Sequence, residues 1–305
     1  MKGTEHLIAA MVIWSVILVA GAQAARPSSP PEDFVYENIS DGILITGYRG
    51  TGENVVIPEQ IGIEPVTALA APAFAFKYGI TNVFIPKTVV QLYGEEFMFR
   101  GCYNLQSIEV DPDNPNFSSI QGVLFDKVQS WLIRCPMNRK GGFVIPEETV
   151  FVAPYAFESC RFLTRIGLGK NPFTIGAIDE KQYSLVDGFP DTFESCDSLS
   201  SIDVDPRNPL YSSIDGVLLN KEKTRLLIVP YAKSGSYILP SIVSVSPDAF
   251  YNCGALTNIT LPKSIHELTD CTFSTCFQLQ AIVVDPENSE FSAQDGVLYV
   301  LTTSS

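Results

Sequence analysis

The chain has 305 residues, is 46% hydrophobic and carries a formal charge of −14. That acidity argues against nucleic acid and anionic membrane as partners, because both require a basic footprint. With His6 and His266 as the two histidines, a His-built metal site has no ligand set, and a nucleophilic triad could use His266 alone.

Met1 to His6 is a short polar segment with Lys2, Leu7 to Ala20 is almost wholly apolar, and Ala22-Gln23-Ala24 is a small-x-small cleavage site. The apolar run is short for a bilayer span, which needs roughly 20 residues. A signal peptide over residues 1–24, cut after Ala24, is therefore expected, with the product secreted or held at the cell surface. Residues 25–33 form a Pro/Ser-rich tether, Ala-Arg-Pro-Ser-Ser-Pro-Pro at its start, expected to be extended and unpacked. The folded domain is expected over 34–305. Its first part, 34–58, is read as an N-terminal cap hairpin: Tyr36 to Gly47 and Asn54 to Ile57 alternate like strands around Gly50-Thr51-Gly52.

From Phe74 onward an apolar frame, Phe-x-x-Cys-x-x-Leu-x-x-Ile-x-Leu, returns through the chain. It stands at Phe250, Cys253, Leu256, Ile259 and Leu261, at Phe273, Cys276, Leu279, Ile282 and Val284, and at Phe193, Cys196, Leu199, Ile202 and Val204. It stands also at Phe157, Cys160, Leu163, Ile166 and Leu168, at Phe99, Cys102, Leu105, Ile108 and Val110, and, with Lys77 in the Cys slot, at Phe74, Ile80, Val83 and Ile85. A fixed apolar frame with free spacers is what stacked turns demand, since each turn supplies the same inward wedge to its neighbours. Apolar segments of three to four residues closed by Pro are too short for regular helices and fit short parallel strands, one per turn. The Phe-x-x-Cys piece fits a single helical turn. In the repeat ending at Cys102, the Phe slot falls on Phe97 or Phe99, depending on the direction of counting.

A longer period lies on top. Val110-Asp111-Pro112 to Leu124 matches Val204-Asp205-Pro206 to Leu218 and again Val284 to Leu298. In the first two copies an apolar stretch follows (Trp131 to Cys135, Leu226 to Val229), so each reads as an inserted β-hairpin. Cys253 to Cys276 spans 23 positions, while Cys102 to Cys160 and Cys196 to Cys253 span 58 and 57, one unit plus an insert. Gly169 to Gly188 holds a different, irregular insert. In the third copy, Leu301 to Ser305 is too short for a returning strand, so an open and poorly packed end is expected after about Ser292.

The Leu-x-x-Ile-x-Leu-Pro frame, the Ala-Phe-x-x-Cys turn and the Val-Asp-Pro…Asp-Gly-Val-Leu unit resemble the BspA-type leucine-rich repeats of bacterial and some protist surface proteins, over about Tyr36 to Val300. The resemblance implies a leucine-rich repeat solenoid, mainly β with short helical turns, built of about 23-residue repeats. It also implies a non-enzymatic binding or adhesion role toward an extracellular protein or glycan, as in adhesins that bind host matrix proteins. Alternatives are a structural spacer or coat element without a ligand and, third, an extracellular hydrolase.

Five of the seven cysteines (Cys102, Cys160, Cys196, Cys253, Cys276) share one inward slot, where free Cys serves as a small hydrophobe. They are expected as buried thiols forming a core ladder. No Cys-x-x-Cys pair occurs, and no cofactor or metal is expected. Asp111-x-Asp113-Asn114 begins like a calcium loop, but Pro115, Asn116 and Gly122 fall where an EF-hand needs an oxygen ligand, Gly and Glu, and Arg207 replaces Asp113 in the second copy. Turn chemistry explains these residues. Gly-rich phosphate loops, Gly-x-Ser-x-Gly and His-Glu-x-x-His are absent. Asn38, Asn116 and Asn258 open glycosylation sequons.

Side chains alternate along a strand, so the residues flanking each inward Ile or Val point to the opposite face. Stacking is expected to line up Asn82 and Phe84, Ser107 and Glu109, Arg165 and Gly167, Ser201 and Asp203, Asn258 and Thr260, then Ala281 and Val283. The expected ligand-binding residues on this face are Phe84, Glu109, Asp203, Thr260 and Val283, with Phe84 as anchor and the two carboxylates favouring a basic partner.

Overall fold

A computed structural model describes residues 26–94, 97–172, 174–175 and 192–301. The expected signal peptide, the residues after Leu301 and most of the insert at Gly169 to Gly188 lie outside these residues.

Short strands stack in parallel, as the repeat frame requires: among the described residues those with the frame's inward wedge form three panels, and Gly42–Tyr48, Glu64–Ala70 and Gln91–Tyr93, like Trp131–Arg134, Phe151–Val152 and Thr174–Ile175, stack beside them. Asn54–Val56, Asn82–Ile85 and Ser107–Val110 form the first panel; Gly141–Val144, Leu163–Leu168 and Ser201–Val204 the second; Gly235–Ile238, Leu256–Leu261 and Ala281–Val284 the third. Register aligns the inward wedge across each panel: Val55, Val83 and Ile108, then Phe143, Ile166 and Ile202, then Tyr237, Ile259 and Ile282. Behind the wedges the repeat aromatics stack in order. Tyr48, Phe74 and Phe99 have centroids 5.8 and 5.4 Å apart, Phe143, Phe157 and Phe193 6.3 and 5.5 Å, and Tyr237, Phe250 and Phe273 6.5 and 5.0 Å. Burial of each such side chain contributes about 1.5–3 kcal/mol, so three aromatic piles anchor three contiguous cores. Phe99, fully buried, fills the slot that counting left open, and Phe97 is exposed.

Five of the six Phe-x-x-Cys turns end on a left-handed residue just before the Cys slot: Phe76, Gly101, Ser159, Ser195 and Asn252 all have φ between 57° and 73°, whereas Thr275 before Cys276 does not. This reversal aims the thiol back along the stack. Cys102 donates to the Phe74 carbonyl at 2.8 Å and Cys196 to that of Phe157 at 3.1 Å.

Between panels the Val-Asp-Pro units form antiparallel meanders of three strands rather than simple hairpins. The first is Phe117–Ile120, Val123–Asp126 and Trp131–Arg134, the second Tyr211–Ile214, Val217–Asn220 and Arg225–Ile228. Their two-residue turns, Gln121-Gly122 and Asp215-Gly216, have φ > 0 at both positions, the geometry that matches strand twist. The turn carbonyl then takes the N–H of the panel's last strand, Ile108 to Gly122 and Ile202 to Gly216, each at 2.8 Å. That bond consumes the free edge and ends the panel. The third meander has Phe291–Gln294 and Val297–Val300, and Val297, Tyr299, Val300 and Leu301 are exposed.

Two expectations for the N-terminal region are corrected. The cap hairpin closes earlier, pairing Phe34–Ile39 with Gly42–Tyr48 across Ser40-Asp41, while Asn54–Val56 opens the parallel ladder against Asn82–Ile85. Gly42 makes the early turn possible: its φ is 133°, and a Cβ there would sit 2.3 Å from the Pro65 carbonyl oxygen. The tether, at least over Arg26 to Pro30, is packed instead of free. Ser29 N–H donates to Val56 O at 2.9 Å, and its hydroxyl accepts from Val56 N–H at 3.0 Å. Among the described residues no strand pairs with the outer side of Asn54–Val56, and such an edge can template an extended chain.

Candidate ligand-binding face

The outward positions of each panel form short cross-strand rows: Val56, Phe84 and Glu109 in the first, Val144, Gly167 and Asp203 in the second, Ile238, Thr260 and Val283 in the third. The expected row lacked its first member in every panel. That member is a β-branched aliphatic each time, and Val144 and Ile238 are 70% and 71% exposed, above Val283 at 50%. The missing signal was present in the sequence. Val55-x-Ile57-Pro58, Phe143-x-Ile145-Pro146 and Tyr237-x-Leu239-Pro240 repeat the strand frame of Val83-x-Ile85-Pro86, but without the leading Leu that marked the other repeats.

The five expected residues fall into three environments. Phe84 is half-buried, with the Arg26 guanidinium carbon 4.8 Å from its ring centre, and Glu109 pairs with the same guanidinium at 2.5 Å. Asp203 is paired with Arg165 on the neighbouring strand and accepts from Ser201 Oγ at 2.9 Å. Thr260 lies half-buried between Ile238 and Val283, and Val283 is open to solvent. The two carboxylates thus already have cationic partners within the chain.

Opposite chemistry lines the turn side. Tyr78 stacks on Tyr103 with centroids 5.9 Å apart, the Arg161 guanidinium lies 5.3 Å from the Tyr103 ring, and Arg161 faces Asp197 at 3.8 Å. All four follow the Cys slot directly, a regularity readable in the sequence that the inward frame had overshadowed.

The cysteines of the ladder are free and buried, as is Cys135, whereas Cys271 is exposed. Burial pushes the Cys102 and Cys276 thiols up to about 11 and raises those of Cys196 and Cys253 further. A thiol held protonated is a poor nucleophile and a poor metal ligand. Among the described residues no group of three or more His, Cys, Asp or Glu side chains is placed to hold a metal ion. The calcium-like turn is occupied by its own backbone: Asp111 Oδ1 accepts from Asp113 N–H at 2.8 Å. In the second copy the Arg207 guanidinium bonds Asp205 and brings its carboxyl down to about 2. His266 lies at the surface with Glu290 3.9 Å away.

A panelled stack of parallel strands with this frame has relatives. The BspA type leucine rich repeat region, in six copies, matches residues 67–181 and 234–294, more than half of the chain. The chain belongs to the BspA-type leucine-rich repeat family. No curated protein matches it. Among solved structures, a leucine rich cell surface protein from Faecalibacterium prausnitzii is similar at 17% identity and a TM-score of 0.41, over 87% of this chain and 96% of that one. The leucine rich repeat protein of T. pallidum is 22% identical over 84% of this chain and 81% of its own, with a TM-score of 0.31. The pneumococcal vaccine antigen PcpA is 19% identical over 79% of this chain and 51% of its own, with a TM-score of 0.42. Among its described residues this BspA-type repeat protein presents an outward row on each of the three strand panels.

Proposed function

We propose that the protein is a non-enzymatic binding module, exported and displayed at the cell surface, that takes a protein ligand on the strand face of its second and third panels. The observation that carries this is the exposure of Val144, Ile238 and Val283 at equivalent register positions. On a solvated sheet these slots would be polar. An aliphatic side chain held out from a rigid strand gains free energy by burial against an apolar partner surface. Aliphatic anchors favour a protein over a glycan, since sugars stack on aromatic ring faces and these rows carry none. Family membership, the leader-like first 24 residues and the acidic charge support export.

The test is capture of extracellular matrix proteins by the immobilised chain and by a Val144→Lys, Ile238→Lys double variant. Loss of capture with an unchanged unfolding midpoint is expected, because both side chains are exposed. Capture that survives in the double variant would remove the strand face as the binding surface.

A further inference from the structure

The first panel differs from the other two in how its acidic residue is neutralised. In panel two Asp203 takes its guanidinium from Arg165, a member of the adjacent strand. In panel one the neighbouring strand offers no cation: the corresponding positions are Asn82 and Phe84. The guanidinium comes instead from Arg26, which lies outside the sheet on the segment before the cap hairpin. It sits 4.8 Å from the Phe84 ring centre and 2.5 Å from Glu109. An aromatic ring beside a carboxylate is a two-point recognition element for a planar cation, because the ring face and the anion attract the same group from two directions. Within the outward rows the pairing stands in the first panel: at the equivalent slots the second panel has Gly167 and Asp203, and the third has Thr260 and Val283, while on the turn side Arg161 is held between Tyr103 and Asp197.

We propose that Phe84 and Glu109 form an arginine-recognition site for an extended segment of a partner protein, occupied in cis by the chain's own Arg26. Three features support exchange of the occupant. The Arg26 and Glu109 side chains remain 39% and 43% exposed, so solvent screens the pair and it holds the segment loosely. Among the described residues the segment meets the panel edge through one backbone bond, Ser29 N–H to Val56 O, and one bond from Val56 N–H to the Ser29 hydroxyl, and the backbone bond is one an extended chain can reproduce. Beside the ring lies a groove of about 350 Å³ walled on one side by Arg26 and Ser28 of the resident segment, with Glu59, Asp111 and Asp113 also in its lining, and these carboxylates give residues flanking an incoming arginine an acidic bed. The resident segment lowers the apparent affinity of the site by competing for it. This site is separate from the aliphatic rows of panels two and three and stands whether or not they bind a ligand.

The test uses the full chain and a fluorescent peptide, Ala-Arg-Pro-Ser-Ser-Pro, with an Arg-to-Ala peptide as control. The Arg26→Ala protein should bind the Arg peptide about tenfold more tightly than wild type, since the competitor is gone. Adding Phe84→Ala or Glu109→Gln to that background should each lose about tenfold, with an unchanged melting temperature. Absence of Arg-peptide binding to Arg26→Ala, equal binding of the two peptides, or equal affinity of wild type and Arg26→Ala would overturn the proposal. Dimerisation of wild type that Arg26→Ala abolishes would place a second copy's N-terminal segment in the site and overturn a separate partner.

Discussion

Asn114, Asn208 and Asn288 are buried polar side chains at one repeated position of the solenoid. Each bridges its own turn to the one before. Asn114 Oδ1 accepts from the N–H groups of Asn116 and Phe117, and its amide donates to the carbonyls of Pro86 and Val89. Asn288 repeats the arrangement with Glu290, Phe291, Pro262 and Ile265. Only an amide both donates and accepts here, so Asn114→Asp should lower stability by about 3 kcal/mol, read from the urea midpoint, by stranding two carbonyls and burying a charge. The thiols give a second residue-level expectation. Under native conditions at pH 8, iodoacetamide should modify Cys271 rapidly and the buried six slowly, while all seven react in denaturant. The raised thiol pKa values also set a pH dependence. In the unfolded chain these groups ionise near 8.5, but Cys102 and Cys276 stay protonated up to about 11 in the folded state. Their contribution is therefore whole below about pH 8.5 and erodes as pH rises toward 11, so the melting temperature should fall steadily across that window.

At the scale of elements, the meander turns decide where one panel ends and the next begins. Gly122 has φ 79°, and a Cβ there would lie 2.6 Å from Ser107 Oγ and 3.1 Å from the Ser107 Cα. Gly122→Ala should cost about 2 kcal/mol through the left-handed backbone and this clash together, and it should loosen the edge bond from Ile108, visible as faster exchange of that amide. The Phe-Cys-Leu-Ile frame made the repeat, the short strands and the buried slot of the cysteines legible, because inward packing repeats its side chains. The left-handed residue before the Cys slot in five of the turns was not legible. Phe76, Gly101, Ser159, Ser195 and Asn252 share a backbone conformation and no side-chain property, and only Gly and Asn favour it intrinsically. Likewise Gly141–Val144 and Gly235–Ile238 escaped notice because Phe143 and Tyr237 fill the wedge that Ile fills elsewhere. Outward rows are set by stacking between turns distant in sequence, so the cover of Arg26 on Phe84 had no local sign.

For the whole molecule, the panels and meanders divide the labour between display and closure. The last strand of each panel is bonded by a meander turn, at Gly122, Gly216 and Gly296, and Ser29 bonds the first strand of the first panel at Val56. The last meander differs in its outer strand: Val297–Val300 presents exposed apolar side chains. Amides of Val297 to Val300 should exchange far faster than those of the equivalent Val217–Asn220 strand, which is covered by Arg225–Ile228; equal protection in a proven monomer would contradict the exposure of this strand. The central claim, that the aliphatic strand face receives a protein ligand, is tested most directly by hydrogen exchange of the chain with and without a captured matrix protein. The account predicts new protection at Gly141–Val144, Gly235–Ile238 and Ala281–Val284, whereas protection confined to the meander strands Phe117–Ile120, Tyr211–Ile214 and Phe291–Gln294 would contradict it.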